Sequence, residues 1–228
     1  MSTEPRDPET STTVDRYLET IYCISGEGEI VRPSRLAQWL EVSAPTVSEA
    51  IRRLARDGWI VIASDRSVSL TDAGNTKAST IVRRHRILER WLTDTLGFDW
   101  VAADEEADRL SSVISNEVID RIDETLGSPL TCPHGNPIPG RSPEYGALVA
   151  LADLEPGTSG HVRRISEVAE HQARSLLTSL HEAGITEGSE VRVSPSGGDT
   201  TTISLNVEGR SLAMPLESAR WIWVDTVS

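Results

Sequence analysis

Residues 33–58 read PSRLAQWLEVSAPTVSEAIRRLARDG. Pro33 suits the first turn of a helix, because its fixed φ is helical and its missing N–H has no helical partner to lose. Leu36, Ala37 and Leu40 then share one face. Glu41-Val42 makes a short turn. Ser43 can cap a second helix, with Pro45 in its first turn, Val47, Ile51 and Leu54 inward, and Gly58 as its stop. Upstream, Leu18, Ile21, Tyr22 and Ile24 mark a helix over residues 14–24 that Gly26 and Gly28 end. Downstream, residues 59–63 and 68–70 read as short strands about Ser64-Asp65-Arg66-Ser67. Helix, short turn, helix and hairpin make a winged helix-turn-helix.

The composition argues against this reading until it is divided. The chain has 228 residues with 22 Lys and Arg against 35 Asp and Glu, a net charge of −13. Phosphate binding calls for positive charge. Residues 30–92, however, hold 11 basic and 6 acidic residues, a net of +5 that leaves −18 for the rest. A basic module is attached to an acidic body. Two cysteines, Cys23 and Cys132, are too few for a secreted disulfide scaffold and point to a reducing, cytoplasmic setting. No apolar run is long enough for a membrane span. Residues 1–11 lack the basic start and apolar core of a signal peptide and read as a disordered lead-in.

Beyond the hairpin, helical periodicity runs from Thr71 to about residue 96, and one further helix fits residues 104–126. Residues 128–142, rich in proline, read as loop. From residue 147 the register changes. Short apolar strands at 162–165, 191–193, 203–207 and 221–224 surround one helix over 168–182, with frequent glycines between. That pattern is a small antiparallel barrel. The fold class is therefore mainly α: a winged helix-turn-helix over 12–74, a helical domain over 75–142 and a small β-barrel over 147–228.

Two sets of residues carry chemistry. The capped helix should enter a major groove with its N-terminal residues nearest the bases. Ser43, Pro45, Thr46, Ser48 and Glu49 stand there, and Glu49 can accept from cytosine N4. Arg52, Arg53 and Arg56 follow, suited to phosphates or guanine edges. Arg66 and Ser67 occupy the wing, and Arg35 lies on the preceding helix. The second set is metal-ligating. His85 and Glu89 are i, i+4 on one helix, as are Asp104 and Asp108 on the next. Cys132-Pro-His134 puts a soft and a borderline donor together on a loop. Such a group can cage a divalent transition ion. Solvated basic and acidic helix faces and a buried structural thiol are the bland alternatives.

YLETIY at 17–22, APTVS at 44–48, RDG at 56–58, ASDRS at 63–67, RHR at 84–86 and GNPIPG at 135–140 occur in the order and spacing of a known family. On these motifs, residues 12–140 resemble the diphtheria toxin repressor family of iron- and manganese-dependent regulators. Residues 147–228 resemble that family's third domain, an SH3-like barrel also found in ferrous-transport proteins. The resemblance implies a homodimer joined through the middle helices, a double-stranded DNA operator, and metal-controlled repression of metal-uptake genes. It implies an ancillary metal site of His85, Glu89 and Asp104 (Asp104 replacing a usual His) with Cys132 and His134, completed from the barrel by Glu170 or His171. Fe2+ or Mn2+ is the implied ion, with Zn2+ or Co2+ able to substitute in vitro.

At the family's primary, activating site this sequence departs from the pattern. The matching positions are Arg16, Asp108, Ser111 and Ser112, of which two are hydroxyls and one is a permanent cation that repels metal. Glu19 and Asp108 are the remaining carboxylates. Arg16 could replace the metal by pairing with Asp108, which would make a metal-independent regulator. A metalloenzyme or metal-binding protein without DNA binding is the rival class, but no Gly-rich phosphate loop, nucleophile elbow or His-Glu-x-x-His supports an enzyme.

Overall fold

The computed structural model describes residues 8–172, 174–194, 201–207 and 209–226, with backbone alone for 8–12 and 170–172. The chain divides into two compact units, Met1–His85 with Ser111–Val113, and Arg86–Leu110 with Ile114–Ser228.

The first unit is built on α1 (Pro8–Gly26), α2 (Pro33–Leu40), α3 (Ala44–Arg56) and the strands β1 (Ile60–Ile62) and β2 (Val68–Leu70). It also contains the N-terminal part of α4 (Asp72–Asp94). Leu18, Ile21 and Ile24 of α1, Leu36 of α2 and Leu54 of α3 are among the fully buried side chains. α2 ends at Glu41, whose φ of 53° reverses the chain in the left-handed region. Ser43 then caps α3, its Oγ accepting from the Thr46 amide at 3.3 Å. β1 and β2 pair in antiparallel register, Ile60 opposite Leu70 and Ile62 opposite Val68. α4 approaches this hairpin closely: a Cβ on Gly74 would lie 2.0 Å from the Trp59 carbonyl oxygen.

The second unit continues α4 and adds α5 (Trp100–Ser111) and α6 (Asn116–Thr125). It also holds a six-stranded antiparallel sheet in the order β3-β8-β4-β5-β6-β7. The strands are β3 (Leu148–Ala150), β4 (Ser159–Ile165), β5 (Glu190–Val193), β6 (Thr202–Val207), β7 (Arg210–Pro215) and β8 (Ile222–Thr226). Helices α7 (Glu167–Gln172) and α8 (Arg174–Glu182) follow β4, and the short α9 (Leu216–Ala219) precedes β8. Val162, Ile165, Leu177, Leu180, Leu205 and Val224 form one apolar cluster with Trp100, so α5 shares the core of the sheet domain.

Three expectations are corrected. α1 begins at Pro8, inside the stretch read as a lead-in; proline there starts a helix as it does at Pro33. The helix expected over 104–126 is two helices, because Ser115 caps α6 by accepting from the Val118 amide at 3.4 Å. α7 and α8 together span the helix expected over 168–182, with residue 173 outside the described residues. β3 and β7 escaped notice because β3 has only three residues and β7 buries only Met214.

Replacing Ser43 with alanine removes one cap from α3. Urea denaturation should show a loss of about 1 kcal/mol. An unchanged midpoint would mean that the Ser43 hydroxyl contributes nothing to the start of this helix.

Candidate metal centre and nucleic-acid interface

Glu89 of α4 and Cys132 and His134 of the 128–142 loop are all buried, at 1%, 0% and 2% exposure. His134 Nδ1 lies 3.6 Å from Glu89 Oε1 and 3.9 Å from Cys132 Sγ. One ligand atom from each residue falls within 4.8 Å of the others. His85 (one helical turn before Glu89), Glu89 and Asp104 of α5 form a second such group that shares Glu89. A thiol, an imidazole and carboxylates at this spacing fit a divalent transition ion, and burying them together is costly without a cation.

The loop is held in place by backbone and by distant side chains. Cys132 N donates to Asn136 O at 2.9 Å, closing a tight turn. Ile165 N of β4 donates to His134 O at 2.8 Å, and Asn136 Nδ2 returns a bond to Ile165 O at 3.0 Å. Gly135, at φ 82°, lies against β4 so closely that a Cβ would stand 1.9 Å from Arg163 O. Arg86 donates to Pro137 O and pairs with Glu167. Arg90 reaches Cys132 O at 3.3 Å while paired with Asp94 at 3.0 Å. Glu187 accepts from Thr131 Oγ1 at 2.7 Å and from Tyr145 OH at 3.1 Å, and Tyr145 also lies 2.9 Å from Gly135 O. Burial, and then the neighbouring Glu187 carboxylate, push the Tyr145 hydroxyl far above the usual phenol range, so it stays protonated as a donor. Trp100 meets His134 edge to face, with ring centroids 4.8 Å apart.

Of the other expected ligands, Asp104 accepts from Arg174 Nη2 at 3.3 Å. Glu170 and His171 lie on α7, and their side chains are outside the described residues. Glu19 lies on α1 and Asp108 is exposed on α5. Arg16 Nη2 donates to Leu40 O at 3.2 Å.

The recognition helix presents Ser43, Pro45, Thr46, Glu49, Arg52 and Arg56 as exposed residues, with Ser48 and Arg53 half-buried. Some of these groups also serve the fold: Ser43 Oγ and Thr46 Oγ1 are 2.8 Å apart, and Ser48 Oγ donates to Ala44 O at 2.9 Å. Arg35 makes a two-pronged pair with Glu29 at 2.8 and 3.1 Å and lies over Trp39, so its guanidinium is committed inside the domain. At the wing tip Arg66 is exposed at φ 65°. Asp65 orders the tip by accepting from Ser67 N and Oγ at 3.0 and 2.7 Å, which holds its carboxyl below the usual range.

Sequence reasoning missed Arg86, Asn136, Tyr145, Arg174 and Glu187. Each acts on a partner at least ten residues away, so no local spacing marks it.

A winged helix-turn-helix joined to a buried sulfur–imidazole–carboxylate group defines the class of metal-sensing DNA-binding proteins. Residues 9–68 match the family model for the iron-dependent repressor N-terminal DNA-binding domain. Residues 71–140 match its metal-binding and dimerisation domain, and residues 149–226 the FeoA domain. The chain is 36% identical to the iron-dependent repressor IdeR of Mycobacterium tuberculosis, covering 94% of this chain and 97% of IdeR. It is 37% identical to the diphtheria toxin repressor of Corynebacterium diphtheriae, covering 83% and 87%. A manganese-dependent transcriptional repressor in complex with manganese superposes with a TM-score of 0.80 at 32% identity, covering 94% of this chain and all of that one. ScaR with bound Zn2+ superposes at 0.75 with 26% identity, covering 94% and 99%. The chain belongs to the iron-dependent repressor family.

Gly135→Ala should destabilise the second unit by about 2 kcal/mol or more, since the new methyl meets a backbone carbonyl and φ is positive. Thermal unfolding with and without metal checks this; a variant as stable as the parent would show that the loop can move off β4.

Proposed function

We propose that this protein is a homodimeric, metal-responsive repressor of metal-homeostasis genes that binds a double-stranded DNA operator in the cytoplasm and catalyses no reaction. The buried group of Glu89, Cys132 and His134 carries this reading, extended by His85 and Asp104, with Fe2+ or Mn2+ as the ion. When bound, the ion would supply the positive charge that holds α4 and the 131–137 loop together. In this reading the work is divided in three, with 12–74 reading DNA, 75–142 binding metal and dimerising, and 147–228 supporting the loop. The dimer is supported by exposed apolar surface on α6, where Val118 is 47% exposed in a groove of about 270 Å³ lined by Trp91 and Ile122 together with Glu117, Arg121 and Thr125. Among the described residues no helix is long and apolar enough to cross a membrane.

A second reading is favoured by Arg16. At the altered primary position its guanidinium tethers α1 to the end of α2 through Leu40 O. Such a tether, with or without a pair to Asp108, would let the DNA-binding unit hold its shape with no metal at Glu19 and Asp108.

Footprinting on promoter DNA during Mn2+ and Fe2+ titration separates the readings. A protected operator that appears as metal fills the Cys132–His134 centre is expected, and is lost in Cys132→Ala. Protection that persists in excess chelator would favour a metal-independent regulator instead, and its loss in Arg16→Ala would assign that independence to the tether; no specific complex at any metal load would end both.

Arg52 is exposed on α3 and is read as a phosphate contact. Arg52→Ala should weaken binding uniformly across sequences and lower the slope of log affinity against log salt by about 1 per protomer. A mutant with the parent slope would exclude that contact.

A further inference from the structure

The Asp104 carboxylate has two claimants. It offers a ligand atom within 4.8 Å of a Glu89 oxygen in the second donor group. It also accepts from Arg174 Nη2 at 3.3 Å, while Nη1 of the same guanidinium reaches Glu105 Oε1 at 2.5 Å. Arg174 is the first residue of α8, and its side chain is 47% exposed. An ion pair so open to water is weakly held, because solvent screens it and two long side chains must be kept in one geometry. A divalent ion on the same carboxylate would stand a few ångströms from the guanidinium. Like charges at that distance raise the free energy of the doubly occupied state.

We propose that Arg174 sets the metal affinity of this centre by competing with the ion for Asp104. Glu105 makes the displacement easy. The guanidinium already bonds to it, so leaving Asp104 does not strand a charge. The competition also links the two domains of the second unit. By reciprocity, an ion that loosens Arg174 from Asp104 is itself weakened by that pair by the same factor. Metal loading therefore removes one of the two Arg174 contacts between α8 and α5, leaving the pair with Glu105, while the His134–Ile165 and Arg86–Glu167 contacts stay in place. The sheet domain would thereby report occupancy without supplying a ligand from α8.

The inference rests on Asp104 being a metal ligand, and a double-mutant cycle tests the two ideas separately. Mn2+ affinity of the full chain is measured by competition with a fluorescent chelator for the parent, Arg174→Gln, Asp104→Asn and the double variant. Asp104→Asn should bind Mn2+ more weakly. Arg174→Gln should bind it about tenfold more tightly, the effect of removing one nearby positive charge. That gain should vanish in the Asp104→Asn background, and Arg174→Lys should retain the parent affinity. If Asp104→Asn binds like the parent, Asp104 is no ligand and the competition falls with it. If Asp104→Asn weakens binding but Arg174→Gln leaves affinity unchanged or lowers it, the ligand reading stands and the competition is overturned. A gain of equal size in both backgrounds would also overturn it, because it would be a long-range charge effect.

Discussion

The seating of residues 131–137 on β4 is the constraint from which the metal centre follows. A backbone bond from Ile165 N to His134 O and a side-chain bond from Asn136 Nδ2 to Ile165 O fix the loop to the end of β4. Gly135 permits the approach because any side chain there would overlap Arg163 O. With the loop so held, Cys132 and His134 face Glu89 without further adjustment. A preorganised donor group of this kind spends little of the metal's binding energy on ordering the chain. The charges around it are arranged with the same economy: Arg86 and Arg90 touch loop carbonyls while paired with Glu167 and Asp94.

The recognition surface is built on a different principle. Its geometry depends on short-range devices: a left-handed Glu41, a capping Ser43, and an Asp65 that folds the wing tip about Ser67. Several side chains that the sequence pattern assigns to DNA therefore already have local duties. Arg35 shows the limit of reading function from charge alone. Its guanidinium is bound bidentately by Glu29 and packed on Trp39, so a basic residue counted toward the interface belongs to the fold. Arg52, Arg56 and Arg66 stay exposed, and the +5 balance of residues 30–92 rests on such groups. The acidic remainder keeps the rest of the surface unattractive to phosphate, which favours approach through the wing and recognition helix.

Local signals carried much of the fold. Pro33, Ser43, Pro45 and Gly58 punctuate α2 and α3 so closely that the helix-turn-helix can be read residue by residue, and the β2 limits agree with the pattern of 68–70. Legibility failed where the controlling contact is remote or weak. The serine-rich break between α5 and α6 looks like helix until Ser115 is seen capping. β7 gives a weak pattern because it lies at the end of the sheet order with a single buried side chain.

The amino-acid sequence by itself determined the helix-turn-helix with its hairpin and the basic balance of that region, and it singled out the candidate donor residues, because capping, periodicity and ligand type are properties of neighbours along the chain. Only the tertiary structure decided that Glu89 meets Cys132 and His134, that Arg86, Tyr145 and Glu187 hold their loop, and that Arg174 reaches Asp104. Those pairs lie far apart in the chain, Glu89 and Cys132 by 43 residues and Asp104 and Arg174 by 70. Burial and packing alone bring them together, and no spacing rule spans such distances.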